Sequence, residues 1–100
     1  MDSISHSCHL YITGIVQGVF FRRFVYSEAK KLGITGWVRN LYDGRVEALI
    51  FHKEQNVLRE LVVKCKKGPM YAEVTDIEEI WDKDLDKNYS FKDFFIEGTV

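Results

Sequence analysis

The chain has few of the residues that form disulfides, bind metals or build linkers. Its 100 residues include two cysteines, Cys8 and Cys65, and one proline, Pro69. The cysteines have neither a metal-ligand spacing nor a redox spacing, and we expect them at opposite ends of the fold, too far apart for a disulfide. Two free thiols are therefore expected. The sequence has no repeat and no low-complexity run, so nothing in it suggests a linker.

Long apolar runs and a strong net charge are also missing. The segment 1–16 is too polar for a signal peptide or a membrane span, so we expect a cytoplasmic protein that does not bind membranes. The formal net charge of −1 argues against a nucleic-acid partner, because phosphate backbones are held by clustered lysine and arginine. The three histidines have no ligand spacing, and we expect no metal and no other cofactor.

What is present is enough for a small globular domain. Apolar residues make up 46% of the chain and aromatic residues 14%, so one hydrophobic core can form. The length is typical of one domain rather than two. We predict a single domain over residues 1–100 and expect a monomer.

The uneven placement of acidic residues leaves one positively charged segment. No acidic side chain lies between Asp2 and Glu28. Within that window, residues 14–23 (GIVQGVFFRR) form an apolar loop with glycines that ends in Arg22 and Arg23, at the start of a predicted helix. Cations are unfavourable at a helix N-terminus, which already carries partial positive charge. A bound phosphate would resolve the conflict, because backbone amides and a guanidinium supply donors to it.

Hydrophobic periodicity predicts the order strand, helix, strand, strand, helix, strand, with a short strand appended. Alternating patterns predict strands at 8–13, 35–40, 46–52, 72–81 and 91–97, and helical spacing predicts helices at 21–32 and 54–66. Asp43-Gly44 is a hairpin turn signal between the second and third strands. The acidic residues of the fourth strand indicate a sheet edge or a wet surface, and 82–90 is predicted to be a charged loop.

This order predicts an α+β fold, the ferredoxin-like split βαβ plait, with two helices on one face of an antiparallel sheet of strand order 4-1-3-2. The first and second strands then run parallel, so their C-terminal ends lie at the same edge of the sheet. The loop 14–21 leaves the first strand at that edge, and Asn40 ends the second strand there. The sequence therefore predicts that Asn40 lies close to the loop.

Two segments of the chain resemble the signatures of the acylphosphatase family. They are VQGVFFR at 16–22 and GWVRN at 36–40, the second being followed by DGRVE at 43–47. The resemblance extends over essentially the whole chain. It implies an enzyme that hydrolyses a small-molecule acyl phosphate to a carboxylate and inorganic phosphate without a metal, and inorganic phosphate is then both product and inhibitor.

The resemblance also implies the roles of individual residues. Arg22 corresponds to the arginine that binds the phosphate, and Asn40 to the asparagine that orients the attacking water. The phosphate-binding backbone amides correspond to Ile15, Val16, Gln17, Gly18, Val19, Phe20 and Phe21. Because a carboxylate is a good leaving group and phosphoryl transfer has a loose transition state, positioning and charge stabilisation suffice without a strong base. Two positions depart from the family pattern, Val25 and Leu41, and Leu41 bears on water access beside Asn40.

Simpler structural roles are open to several of these residues taken alone. The loop glycines suit a sharp turn, Asn40 suits a strand end, and Gln17 more often bonds within its own loop. Arg23 fits a solvated helix position and is left out of the site. The aromatic residues Phe20, Phe21 and Trp37 could line a substrate mouth, but core packing is favoured for most of them.

Three other functions compete with hydrolysis. A plait that binds single-stranded RNA needs aromatic residues on its central strands, and the third strand has Val46, Ala48 and Leu49 at internal positions instead. A noncatalytic anion sensor is the second alternative. The regulatory acylphosphatase-like domain of a larger carbamoyl-transfer protein is the third, and the chain length disfavours it.

Overall fold

The computed structural model describes residues 5–82 and 92–100. Along the chain, the elements are β1 (His6–Ile15), α1 (Phe21–Leu32), β2 (Thr35–Asn40), β3 (Val46–His52), α2 (Gln55–Lys67), β4 (Glu73–Trp81) and β5 (Phe94–Ile96). The predicted bounds of α1, β2 and β3 are confirmed, and β1 extends two residues further at each end. The predicted loop at 82–90 lies, apart from Asp82, outside the described residues.

The strands form one five-stranded sheet of order β4-β1-β3-β2-β5. β1 pairs with β3 and β4, and β2 pairs with β3, all in antiparallel fashion, whereas β5 is parallel to β2. The predicted order 4-1-3-2 is therefore confirmed, with β5 added beside β2. β4 lies at the sheet edge, as its acidic residues indicated. Because β1 and β2 both run antiparallel to β3, their C-terminal ends lie at the same edge of the sheet.

Both helices pack their apolar stripes against one face of this sheet. The helical side of the core contains Val25 and Ala29 from α1 and Leu58 and Leu61 from α2, all fully buried. From the sheet, the same cluster contains Leu10, Ile12, Val38, Val46, Ala48, Ile50 and Phe94. This packing fixes where α1 begins relative to the strand ends.

The two cysteines are both free and buried. Burial raises the pKa of Cys8 and of Cys65 to about 12, so both are neutral thiols near neutral pH. The prediction of free thiols is confirmed. Both cysteines belong to the hydrophobic core cluster.

β1 has a bulge near its C-terminal end. The register with β4 shifts between Thr13 and Gly14, where the backbone adopts a φ of 136° at Gly14. A Cβ atom on Gly14 would collide with the carbonyl oxygen of Glu73. Glycine is therefore required here by the close approach of two backbones, and this approach sets the direction in which the following loop leaves the strand.

Candidate active site

The loop after β1 enters α1 through two residues in the left-handed region. Gly18 has a φ of 77°, and Phe20, the N-cap residue, has a φ of 63°. Phe20 makes no side-chain cap, and its carbonyl oxygen accepts a hydrogen bond from the Phe24 amide at 3.0 Å. The first helical turn contains no acidic residue but has Arg22 and Arg23. No side chain caps the helix N-terminus, and its positive charge is not offset within the first turn.

Gln17 ties this loop to the hairpin between β2 and β3. Its side-chain Nε2 donates to the carbonyl oxygens of Leu41 at 2.7 Å and of Arg45 at 2.9 Å. These bonds give the side chain of Gln17 a structural role, but they reach the β2–β3 hairpin and do not stay within its own loop as expected. They also place the loop against the residue that follows Asn40, which joins two segments that are distant in sequence.

Asn40, the last residue of β2, has a buried polar atom without a partner. Its backbone is held on both sides, since it lies opposite Val46 of β3 and its carbonyl oxygen accepts from the Val100 amide at 3.2 Å. Its side-chain Oδ1 is buried and has no hydrogen-bond partner among the described residues. Leaving such an oxygen unpaired costs about 1–3 kcal/mol, and a ligand or a water molecule that bonded to it would recover that cost.

The loop, the start of α1 and the end of β2 enclose a cavity of about 470 Å³. Its lining consists of Val16, Gln17, Gly18, Phe20, Phe21, Arg22, Arg23, Asn40 and Ile96. Both predicted catalytic residues and five of the seven predicted cradle residues therefore lie around one cavity. The other two do not line it. Ile15 is paired with Glu73 at the end of β1, and Val19 packs against the core.

The two arginines occupy different environments. Arg22 is half-buried, whereas Arg23 is exposed, and both line the cavity. Within the described part of the chain, neither forms an ion pair or a hydrogen bond to another side chain. Their positive charge is thus available to a bound anion. Sequence reasoning excluded Arg23, and its presence in the lining is a finding of the structure.

Ile96 is the lining residue that the sequence did not suggest. It belongs to β5, which pairs in parallel with β2 and places Ile96 opposite Val38, two residues before Asn40. No local sequence pattern predicts this pairing. Trp37, which the sequence left as a residue of either the cavity mouth or the core, is neither. The guanidinium carbon of Arg39 lies 4.5 Å from the centre of the Trp37 ring, and Trp37 is absent from the cavity lining.

Two features are absent from residues 5–82 and 92–100. These residues contain no group of three or more His, Cys, Asp or Glu side chains that could hold a metal ion. Neither of the helices in these segments is long and apolar enough to cross a membrane. Two histidines lie beside acidic residues, His6 beside Asp82 and His9 beside Glu47.

Comparison with known proteins identifies the family. The family model Acylphosphatase matches residues 8–96. The chain belongs to the acylphosphatase family. The acylphosphatase of Roseiflexus sp. (strain RS-1) is 41% identical over 83 residues, which cover 83% of this chain and 88% of the relative. Members of this family are hydrolases.

Solved structures agree with this assignment. The acylphosphatase of Bacillus subtilis superposes with a TM-score of 0.83 at 37% identity, covering 92% of this chain and 98% of that one. Full-length HypF in its phosphate- and nucleotide-bound form also matches with a TM-score of 0.83 at 27% identity, but only 12% of that chain is covered. The ferredoxin-like fold of this chain is therefore shared with a small acylphosphatase and with part of a larger protein.

Proposed function

We propose that the protein hydrolyses acyl phosphates to a carboxylate and inorganic phosphate in the cavity between the loop and Asn40. The observation that carries this proposal is that Asn40, whose buried Oδ1 has no partner among the described residues, lines the same cavity as Arg22. The amide oxygen of Asn40 suits a water molecule, and the guanidinium of Arg22 suits a phosphate. Family membership over residues 8–96 supports the same reaction.

The phosphate is held by backbone amides of the loop and by Arg22. The proposed cradle is formed by N–H groups of the loop 15–21, of which those of Val16, Gln17, Gly18, Phe20 and Phe21 belong to residues that line the cavity, and the uncapped N-terminus of α1 adds its partial positive charge. The Arg22 guanidinium donates two parallel hydrogen bonds to equatorial oxygens. Its half-buried position limits competition from water, so each charge-assisted bond is stronger than at an exposed site.

Asn40 orients the attacking water. Its Oδ1 accepts a hydrogen bond from the water, which places the water oxygen in line with the leaving carboxylate. The backbone of Asn40 is held by β3 and by Val100, so the side chain starts from a fixed position. Holding the nucleophile in this way reduces the entropy that must be lost on reaching the transition state.

The reaction needs neither a protein base nor a metal. The cavity lining, within the described residues, contains no carboxylate, imidazole or thiol side chain. As the water attacks phosphorus, the bond to the carboxylate oxygen breaks, and the proton of the water passes to a phosphate oxygen of the substrate. The leaving carboxylate departs with the electron pair of that bond and needs no proton at neutral pH.

The proposal also includes the location, the oligomeric state and the partners of the protein. The protein acts in the cytoplasm as a monomer, as a single domain over residues 1–100, without nucleic-acid or membrane partners. Inorganic phosphate competes with the substrate for the cradle. The near-neutral net charge supports the exclusion of nucleic acid.

Loss of benzoyl phosphate, followed by ultraviolet absorbance in the presence of EDTA, tests the proposal. We expect the wild type to turn over, inorganic phosphate to inhibit competitively, and Arg22→Ala to lower kcat/KM about 1,000-fold. Arg59→Ala is the matched control, since Arg59 is an exposed helical arginine outside the cavity lining. An inactive wild type would overturn the hydrolytic function, and activity lost only on adding EDTA would overturn its metal independence.

A further inference from the structure

The cavity has an apolar surface that the proposed chemistry does not use. Its apolar lining residues are Val16, Phe20, Phe21 and Ile96. Val16 and Phe21 are each 1% exposed, because both belong to the core. Phe20 is 78% exposed and Ile96 45%. A ligand in the cavity therefore meets apolar surface almost entirely from Phe20 and Ile96.

Fold stability does not explain Phe20. Its φ of 63° and ψ of 29° are unfavourable for a residue with a side chain, and glycine or asparagine is the usual solution. An N-cap position favours serine, threonine, aspartate or asparagine, yet this phenylalanine caps nothing with its side chain. The backbone strain and the exposed ring both point to a function at the cavity.

The polar lining leaves few groups to recognise a polar substrate tail. The Nε2 of Gln17 already donates to Leu41 and Arg45. Arg22 and Asn40 are assigned to the phosphate and the water in the proposed function. Arg23 is the remaining polar side chain in the described lining, and it is exposed.

We infer that Phe20 and Ile96 form an acyl-binding wall that selects substrates with an apolar, planar acyl group. This inference rests on the proposed function, because it concerns the part of the substrate that leaves as the carboxylate. With the phosphate anchored by the cradle, the acyl group extends between the ring of Phe20 and the side chain of Ile96. Burial of that apolar surface favours a benzoyl group over an acetyl group, which is too small to cover the wall.

The test measures kcat/KM for benzoyl, acetyl and succinyl phosphate with purified full-length protein. The ratio of benzoyl to acetyl phosphate is the readout, because shared phosphate contacts cancel from it. We expect Ile96→Ala and Phe20→Gly each to lower this ratio about ten-fold. Glycine adopts the backbone conformation of residue 20 without strain, and Ile96→Ala tests the same wall from another element.

Phe95→Ala is the matched control. Phe95 is the neighbour of Ile96 on β5, is also 45% exposed, and is absent from the cavity lining. We expect its substrate ratio to equal that of the wild type. Turnover with unchanged ratios in both wall variants would overturn the inference alone. A wild-type preference for succinyl phosphate would also overturn it, in favour of Arg23. No turnover of any acyl phosphate would overturn the proposed function as well.

Discussion

The side-chain Nε2 of Gln17 lies 2.7 Å from the carbonyl oxygen of Leu41 and donates a hydrogen bond to it. Leu41 follows Asn40 directly, so this bond joins the loop that carries the proposed phosphate site to the strand that carries the proposed water site. A second bond from the same nitrogen reaches Arg45 across the hairpin. One side chain therefore ties the two halves of the cavity together.

Replacing Gln17 should lower both the stability of the fold and the catalytic efficiency, and the two effects can be measured separately. Gln17→Leu removes both hydrogen bonds, worth about 1 kcal/mol each, so the melting temperature should fall by roughly 10 °C. Because loop and strand lose their tie, kcat/KM for benzoyl phosphate should fall about ten-fold at a temperature where the variant is fully folded. Gln55→Leu, at the start of α2 and outside the lining, is the control for a glutamine that also forms side-chain bonds. A melting-temperature loss without any kinetic change would show that Gln17 has no positioning role.

Gly14 should not tolerate a side chain. Gly14→Ala forces a Cβ atom against the carbonyl oxygen of Glu73 at a φ of 136°, so we expect a loss of about 2–3 kcal/mol in the free energy of unfolding. Gly98→Ala, where a Cβ meets nothing within 4 Å, should change it little. Urea unfolding of both variants is the measurement. Equal stability of the two variants would show that the bulge of β1 relaxes freely.

Glu47 should make stability depend on pH. Burial alone would raise the pKa of this carboxyl, but hydrogen bonds from Arg39 at 2.8 Å and His9 at 2.6 Å hold the pKa below its ordinary value. A depressed pKa in the folded state means that the unfolded chain binds the proton more readily. The stabilisation is therefore present above the ordinary pKa of about 4.3 and is lost as the pH falls through the lower folded value.

Glu47→Gln is the matching variant. At pH 7 it should lower the free energy of unfolding by about 2 kcal/mol, because the charge-assisted bonds are weakened. At about pH 3 the difference from the wild type should shrink, since acid neutralises the wild-type carboxyl. Glu60→Gln, an exposed helical control, should show no such pH dependence. A Glu47→Gln effect that stays constant with pH would contradict the direction of the pKa shift.

The two cysteines should resist alkylation in the folded protein. Burial raises the pKa of Cys8 and Cys65 to about 12, so the thiolate fraction at pH 8 is roughly 1,000-fold below that of an ordinary cysteine. Iodoacetamide labelling followed by mass spectrometry should show modification in urea and almost none under native conditions. Rapid native labelling of either cysteine would mean that the core opens readily around it.

The sequence predicted the parts of the fold that depend on local pattern. α1 was placed correctly because its apolar residues recur at helical spacing up to Gly33, and β2 and β3 because alternation and the Asp43-Gly44 turn agree. The meeting of Asn40 with the loop followed from strand order and crossover handedness. These are strong constraints, since few topologies satisfy them.

Long-range pairing and unusual backbone geometry could not be predicted in the same way. The parallel pairing of β5 with β2 brings Ile96 to the cavity, and a three-residue strand has no pattern that selects its partner. The left-handed conformation of Phe20 contradicts the local preference of phenylalanine, so tertiary structure must impose it. The partners of Gln17 are carbonyl oxygens of a distant turn, which residue identity does not reveal.

Substitution of Asn40 tests the central claim most directly. On Asn40→Ala, kcat for benzoyl phosphate and the inhibition constant of inorganic phosphate should be measured together, with circular dichroism to verify folding. If Asn40 orients the water while the cradle and Arg22 hold the phosphate, kcat should fall about 1,000-fold and the inhibition constant should change less than about three-fold. Unchanged kcat in the folded variant, or an equal loss of phosphate binding, would contradict this division of roles.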